Sequence, residues 1–147
     1  MKSRHEIEIK FNTLADISRS VFELIEKSII SENITGDIER RFMLAVGEAI
    51  DNAVIHGNKF VESKFIKVEF VLEPNKITFS VTDEGDGFDY QKHMKVPLTE
   101  YAAPKLIEKT VKYGSPGGLG LSLIRKCISE IIITPPGNKM TFIKYLE

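Results

Sequence analysis

The chain has 147 residues, of which 42% are hydrophobic, and this length and composition suit one soluble globular domain with a sizeable core. Its formal net charge of −1, without a block of basic residues, argues against direct binding of nucleic acid. The single cysteine, Cys127, excludes an internal disulfide bond, and no apolar run reaches the roughly 18 residues of a membrane span. We therefore expect a cytoplasmic protein that is not bound to a membrane.

The first half of the chain predicts one strand followed by two amphipathic helices. Residues 4–12 alternate between apolar and polar side chains, as a half-buried strand does. Residues 14–30 and 41–54 carry apolar side chains at helical spacing, and Thr35 or Asp37 is a candidate cap for the second helix. We expect the second helix to end at Gly57-Asn58, because glycine tolerates the left-handed conformation common at helix ends.

The second half predicts a hairpin, a lid, a third helix and two further strands. Residues 65–72 and 77–83 alternate, and Pro74-Asn75 between them favours a tight antiparallel turn. Periodicity is then lost until a helical pattern returns after Gly120, and a long irregular stretch inside a compact domain is usually a functional loop. The remaining predictions are a lid at about 89–117 and strands at 131–134 and 140–146.

Together these elements predict a single α/β domain spanning residues 1–147. The antiparallel hairpins exclude an all-parallel sheet, so the helices must cover one face of the sheet. The predicted architecture is a two-layer sandwich, in which three helices cover one face of a mixed, mostly antiparallel sheet.

The second helix carries a row of polar side chains beside its apolar stripe. Glu48, Asn52 and His56 are spaced four apart, so they are neighbours on one helix face. The amide oxygen of Asn52 suits Mg²⁺, Glu48 could accept a proton from a hydroxyl, and Asp51 could lie in the outer shell of the metal. The alternative for each residue alone is a solvated helix face without chemistry.

Two glycine-rich segments are the other candidate sites. Asp83-x-Gly85-x-Gly87 directly follows a strand, so its backbone could approach a flat ligand while Asp83 offers a fixed acceptor; the alternative is an ordinary tight turn. The segment Gly117-Gly118-Leu119-Gly120 opens the third helix, where free amides and the helix dipole favour a phosphate. Its alternative is a hinge, and it lacks the Lys-Ser or Lys-Thr of a P-loop.

In this order, the three segments resemble the ATP-binding (Bergerat) fold of the histidine-kinase, gyrase, Hsp90 and MutL superfamily. The run Glu48–Gly57, EAIDNAVIHG, is similar to the central motif of anti-sigma factor serine/threonine-protein kinases of bacterial partner-switching systems. A sensor histidine kinase would carry a dimerisation helix pair upstream, where this chain predicts a strand and one helix.

The resemblance implies a role for each matching residue. Asn52 would hold Mg²⁺ that bridges the phosphates of ATP, and Glu48 would take the proton from a partner's serine or threonine hydroxyl. Asp83 would accept a hydrogen bond from the adenine amino group, and Gly85 and Gly87 would shape the adenine pocket.

The resemblance also implies a phosphate cradle, a lid and protein partners. Phosphate would bind the backbone amides of Gly117, Gly118, Leu119 and Gly120 beneath the lid. The partners would be a small anti-sigma-factor antagonist, which is phosphorylated, and a sigma factor, which a homodimer of the chain sequesters. The alternative is an ATP-binding regulator without phosphoryl transfer, because such kinases often place an arginine in the lid, and residues 89–117 contain none.

Overall fold

The computed structural model describes residues 4–12, 17–86 and 124–146 of the chain. The third predicted helix is represented there by residues 124–127, which are helical. The other elements, in chain order, are β1 (His5–Asn12), α1 (Ile17–Ser31), α2 (Asp37–Asn52), a π-helix (Ala53–Gly57), β2 (Phe65–Leu72), β3 (Lys76–Thr82), β4 (Glu130–Thr134) and β5 (Lys139–Tyr145).

The strands form one five-stranded sheet in the order β1-β2-β3-β5-β4. Each neighbouring pair in this order is antiparallel, and β1 pairs with β2 across the two intervening helices, with Asn12 opposite Phe65. The predicted α/β sandwich is therefore confirmed, and every pairing among the described strands is antiparallel. None of the described helices is long and apolar enough to span a membrane.

One face of the sheet packs against the helices and forms the core. Alternate residues of β2 are fully buried, from Ile66 to Leu72, as the predicted alternation requires. Phe142 of β5 lies between Phe79 of β3 and Phe42 of α2, at ring-centre distances of 4.9 and 5.5 Å. Aromatic contacts of this kind fix α2 over the centre of the sheet.

The opposite face of the sheet carries several polar pairs. Lys67 pairs with Glu8 at 3.3 Å, and the Ser80 and Thr141 hydroxyls are hydrogen bonded at 2.8 Å. This pattern explains why β1 and β2 alternate in sequence. It also agrees with the prediction that the helices cover one face.

The predicted cap of α2 needs correction, and so does the reason for its end at Gly57. The helix begins after Gly36, which has φ 75° and makes no side-chain cap, so neither Thr35 nor Asp37 caps it. Asp37 lies in the first turn instead and pairs with Arg40.

At the other end, α2 continues into the π-helix, and left-handed backbone is found at Lys59 and Phe60, with φ 51° and 59°. Gly57 is therefore not the left-handed residue that the sequence suggested. The reason for a glycine there lies in its contacts.

Candidate functional site

The helix α2 presents two of the predicted site residues at its carboxyl end. Glu48 is buried, with 3% of its surface exposed, and Asn52 is half-buried at the last residue of α2. The chain then widens into the π-helix, where the Asn58 N–H donates to the carbonyl of Ala53 at 2.8 Å. Single turns of π-helix are frequent at functional sites, because they redirect the residues that follow.

The predicted acceptor Asp83 lies immediately after β3 and is held by Asn138 of the β4–β5 turn. The Asp83 N–H donates to the Asn138 carbonyl at 2.9 Å, and the Asn138 side chain donates to the Asp83 carbonyl at 3.1 Å. The Gly85 N–H donates to Asp83 Oδ1 at 2.7 Å. The position of the backbone and the orientation of the carboxylate are therefore both fixed.

Two glycines enclose this carboxylate. A Cβ on Gly57 would lie 2.2 Å from Asp83 Oδ2, and a Cβ on Gly85 would lie 2.2 Å from the Gly57 carbonyl oxygen. Real Cβ atoms do not approach other atoms so closely, so a side chain at either position would force its neighbours to move. The π-helix thus delivers Gly57 against the Asp83 turn, a contact that the helical pattern of the sequence did not reveal.

Asn58 is the residue that sequence reasoning missed most clearly. It is fully buried, its Nδ2 donates to the Phe65 carbonyl at 3.0 Å, and its Oδ1 accepts the Glu84 N–H at 2.8 Å. Glu84 in turn accepts a hydrogen bond from the Phe65 N–H. The sequence shows only a polar residue after a predicted helix, and nothing local signals that it is buried.

Burial sets the electrostatics of the Asp83 carboxylate. Desolvation raises the pKa of Asp83 above its ordinary 3.8, while the Gly85 N–H and the positive charge of Lys64 pull the pKa back down. A desolvated carboxylate gains most from a donor that replaces its lost water, so this group is suited to a ligand N–H.

The charge of Glu48 acts on Cys127, which lies in the helical segment 124–127. Burial raises the pKa of the Cys127 thiol, Arg41 and Lys144 lower it, and the negative charge of Glu48 raises it further. Glu48 therefore lies within electrostatic range of the helix that the sequence predicts to open with the phosphate cradle.

A cavity of about 550 Å³ opens beside Glu48 on the α1 side of α2. Its lining includes Glu48, Asp51, Gly47 and Phe22. Desolvation raises the pKa of Asp51, although much of its side chain still meets solvent. The structure thus brings Gly57, Asp83 and Gly85 together. Glu48, one turn before Asn52 on α2, lines a cavity whose lining includes none of these three residues.

The remaining predicted residues lie outside the described part of the chain. They are Gly87, the lid at 89–117, and Gly117, Gly118, Leu119 and Gly120. Within the described ranges, no group of three or more His, Cys, Asp or Glu side chains could hold a metal ion. A metal at Asn52 would therefore take most of its ligands from a bound molecule and water, which is how Mg²⁺ usually binds.

Comparisons with known proteins reveal related sequences. The sequence matches the family described as histidine kinase-like ATPase domain over residues 11–144, a range that includes Asn52 and the Asp83 turn. It is 31% identical over 106 residues to the Serine-protein kinase RsbW of Staphylococcus aureus, and 29% identical over 106 residues to that of Staphylococcus epidermidis. Each alignment covers 71% of this chain and 64% of the relative, less than two thirds of the relative's length.

Proposed function

Because the chain belongs to the histidine kinase-like ATPase domain family, we propose that it is an ATP-dependent serine/threonine protein kinase and anti-sigma factor. It phosphorylates a small antagonist protein in the cytoplasm and, as a homodimer, sequesters a sigma factor. The similarity to the Serine-protein kinase RsbW of two staphylococci supports the kinase activity. The resemblance of Glu48–Gly57 to the central motif of anti-sigma factor kinases supports these partners.

The observation that carries the proposal is the fixed carboxylate of Asp83 between Gly57 and Gly85. Oδ1 is already bound to the Gly85 N–H, so a base would be recognised through the carboxylate's remaining acceptor capacity. The amino group of adenine donates to such an acceptor, whereas the corresponding position of guanine is itself an acceptor. The turn therefore favours ATP over GTP, and Gly87 would complete the pocket.

Phosphoryl transfer would take place at the other end of the nucleotide. Asn52 would bind Mg²⁺, which when present neutralises phosphate charge, and the amides of Gly117, Gly118, Leu119 and Gly120 would bind phosphate oxygens under the lid at 89–117. The acceptor hydroxyl oxygen forms a bond to the γ-phosphorus, and its proton passes to Glu48. The bond between the γ-phosphorus and the bridging oxygen breaks, and ADP leaves.

A second function, ATP-dependent binding of partners without transfer, follows from one observation. The segment 89–117 contains lysines but no arginine, and lysine lacks the planar fork that binds two phosphate oxygens at once. Under this alternative the adenine site is used as proposed, and Glu48 is only a buried carboxylate.

One assay separates the two functions. The chain is incubated with γ-labelled Mg-ATP and a candidate antagonist protein, and transfer to antagonist serine or threonine is measured. We expect labelling that Glu48→Gln abolishes without loss of ATP binding. Tight ATP binding with no transfer would favour the second function, and wild-type ATP affinity in both Asn52→Ala and Asp83→Asn would refute the site itself.

A further inference from the structure

Three segments of the chain meet at Asn58. The residue follows the π-helix, its side chain contacts the first residue of β2, and it also contacts the turn after β3. Because Asn58 has no exposed surface, it cannot itself touch a nucleotide. If Asn58 contributes to nucleotide recognition, it must do so by positioning neighbouring residues.

The neighbour that matters is the turn that carries Asp83. The Asn58 Oδ1 accepts the N–H of Glu84, the residue next to Asp83, at 2.8 Å, and the Asn58 Nδ2 donates to the Phe65 carbonyl at 3.0 Å. The Glu84 carboxylate completes a ring of hydrogen bonds by accepting one from the Phe65 N–H. We call Asn58, Phe65 and Glu84 the clasp.

The clasp and Asn138 hold the turn from opposite sides. Asn138 binds the backbone of Asp83 from the β4–β5 turn, and the clasp binds the next residue from the π-helix and β2. The Asp83 carboxylate lies against Gly57, the residue that directly precedes Asn58. Loss of the clasp would therefore free the turn on the side that faces Gly57.

We propose that Asn58 is a positioning residue for base recognition, which holds the carboxylate of Asp83 in place through Glu84 and Phe65. This inference rests on the proposed ATP site. A buried side-chain amide uses both its donor and its acceptor here, and its removal leaves a carbonyl and an N–H without their partner. The turn would then shift, and the adenine end of ATP would lose its fixed acceptor while the phosphate end is unaffected.

The test compares two probes, ATP and inorganic tripolyphosphate, by calorimetry on the full chain with Mg²⁺. In Asn58→Ala we expect the Kd for ATP to rise about tenfold, the effect of misplacing one charge-assisted hydrogen bond, while the Kd for tripolyphosphate stays within about twofold. Glu84→Ala should show the same pattern, and Glu84→Gln, which keeps an acceptor for the Phe65 N–H, should restore ATP binding. Glu62→Ala, at an exposed glutamate of the loop between Asn58 and Phe65, is the matched control.

A double-mutant cycle separates positioning from general damage to the fold. In an Asp83→Asn background, Asn58→Ala should weaken ATP binding no further, because it acts through Asp83. Additive losses, equal losses for ATP and tripolyphosphate, or an unchanged ATP affinity would each overturn the inference. If Asn58→Ala does not fold, the exposed Glu84 variants decide the same question.

The proposed function and this inference fail in different ways. A folded wild-type chain that binds no ATP refutes the proposed function, and the inference with it. A wild-type chain that binds ATP, together with clasp variants that bind it equally well, refutes only the role of Asn58.

Discussion

At the scale of single residues, the candidate site depends on two glycines that lie beside the Asp83 carboxylate. In Gly57→Ala the new Cβ would meet the Asp83 carboxylate, which is the end of a side chain and can turn away. We expect the fold to survive, with a loss of about 1–3 kcal/mol, while ATP affinity falls at least about tenfold. Thermal unfolding and calorimetric titration with ATP measure the two effects.

Two other glycines provide the controls for this prediction. Gly85→Ala would clash with the Gly57 backbone, which cannot turn away, so it should destabilise the fold more than Gly57→Ala does. Gly47→Ala should stabilise the chain by about 0.5–1 kcal/mol, since it lies within α2 and its Cβ would meet only Phe22 at 3.5 Å. Equal ATP affinity in Gly57→Ala and Gly47→Ala would show that the Asp83 contact is irrelevant.

A second residue-scale prediction concerns the charge of Asp83. Its pKa is raised in the fold above the ordinary 3.8, so the folded state binds the proton more tightly than the unfolded state does. The charged carboxylate therefore costs stability at neutral pH, and this cost fades as pH falls through the raised pKa towards 3.8. We expect Asp83→Asn without ATP to melt above the wild type near pH 7, although it binds ATP more weakly.

The difference between the two melting temperatures should shrink as the pH falls through the raised pKa of Asp83 towards 3.8. Thr82→Ser, which removes no titrating group, should differ from the wild type by an amount that does not vary with pH. A melting difference for Asp83→Asn that grows as the solution is acidified would contradict the assigned desolvation.

The residues that sequence reasoning identified are those whose chemistry is visible locally. Asp83 and Gly85 stand at a strand end, and Glu48 and Asn52 share a helix face, so pattern alone could name them. The sequence suggests a left-handed backbone at Gly57, which the structure does not have, and no local pattern indicates that Asn58 is buried. Their contacts join residues 26 apart in sequence, and no local pattern encodes a contact across that distance.

At the scale of elements, the packing of α2 on the sheet determines where the site is formed. Phe142 joins β3, β5 and α2, so we expect Phe142→Ala to cost about 3–5 kcal/mol through lost contacts and the cavity that remains. Urea denaturation measures this loss. Ile132→Ala on β4, where the side chain is 54% exposed, should cost less than about 1 kcal/mol; similar losses in both variants would contradict the assigned core.

The strands were the most predictable elements. The bounds of β2 are those that alternation predicted, because a strand with one buried face repeats every two residues. The π-helix was not predicted, because one wide turn shifts the helical period by only a single residue. The contact of its last residue, Gly57, with Asp83 is also invisible to local pattern. The partner of β1 was also beyond prediction, since pairing with β2 crosses two helices.

At the scale of the whole molecule, Cys127 reports on how ligand binding and folding are linked. The thiol is 1% exposed and burial raises its pKa, so it should react with iodoacetamide only after the chain opens. A ligand that binds only the folded state lowers the open population by the factor 1 + [L]/Kd. With Mg-ATP at 100 times its Kd, we therefore expect alkylation of Cys127 to slow by about 100-fold.

The control for this prediction is Asp83→Asn at the same ATP concentration, where weaker binding should leave alkylation much less protected. A rate in the wild type that ATP changes by less than about twofold would show that Cys127 becomes accessible through local opening of the 124–127 segment. That result would mean that this helical segment opens independently of the Asp83 turn. Protection by the full factor would instead show that the turn, α2 and the last helical segment unfold as one cooperative unit.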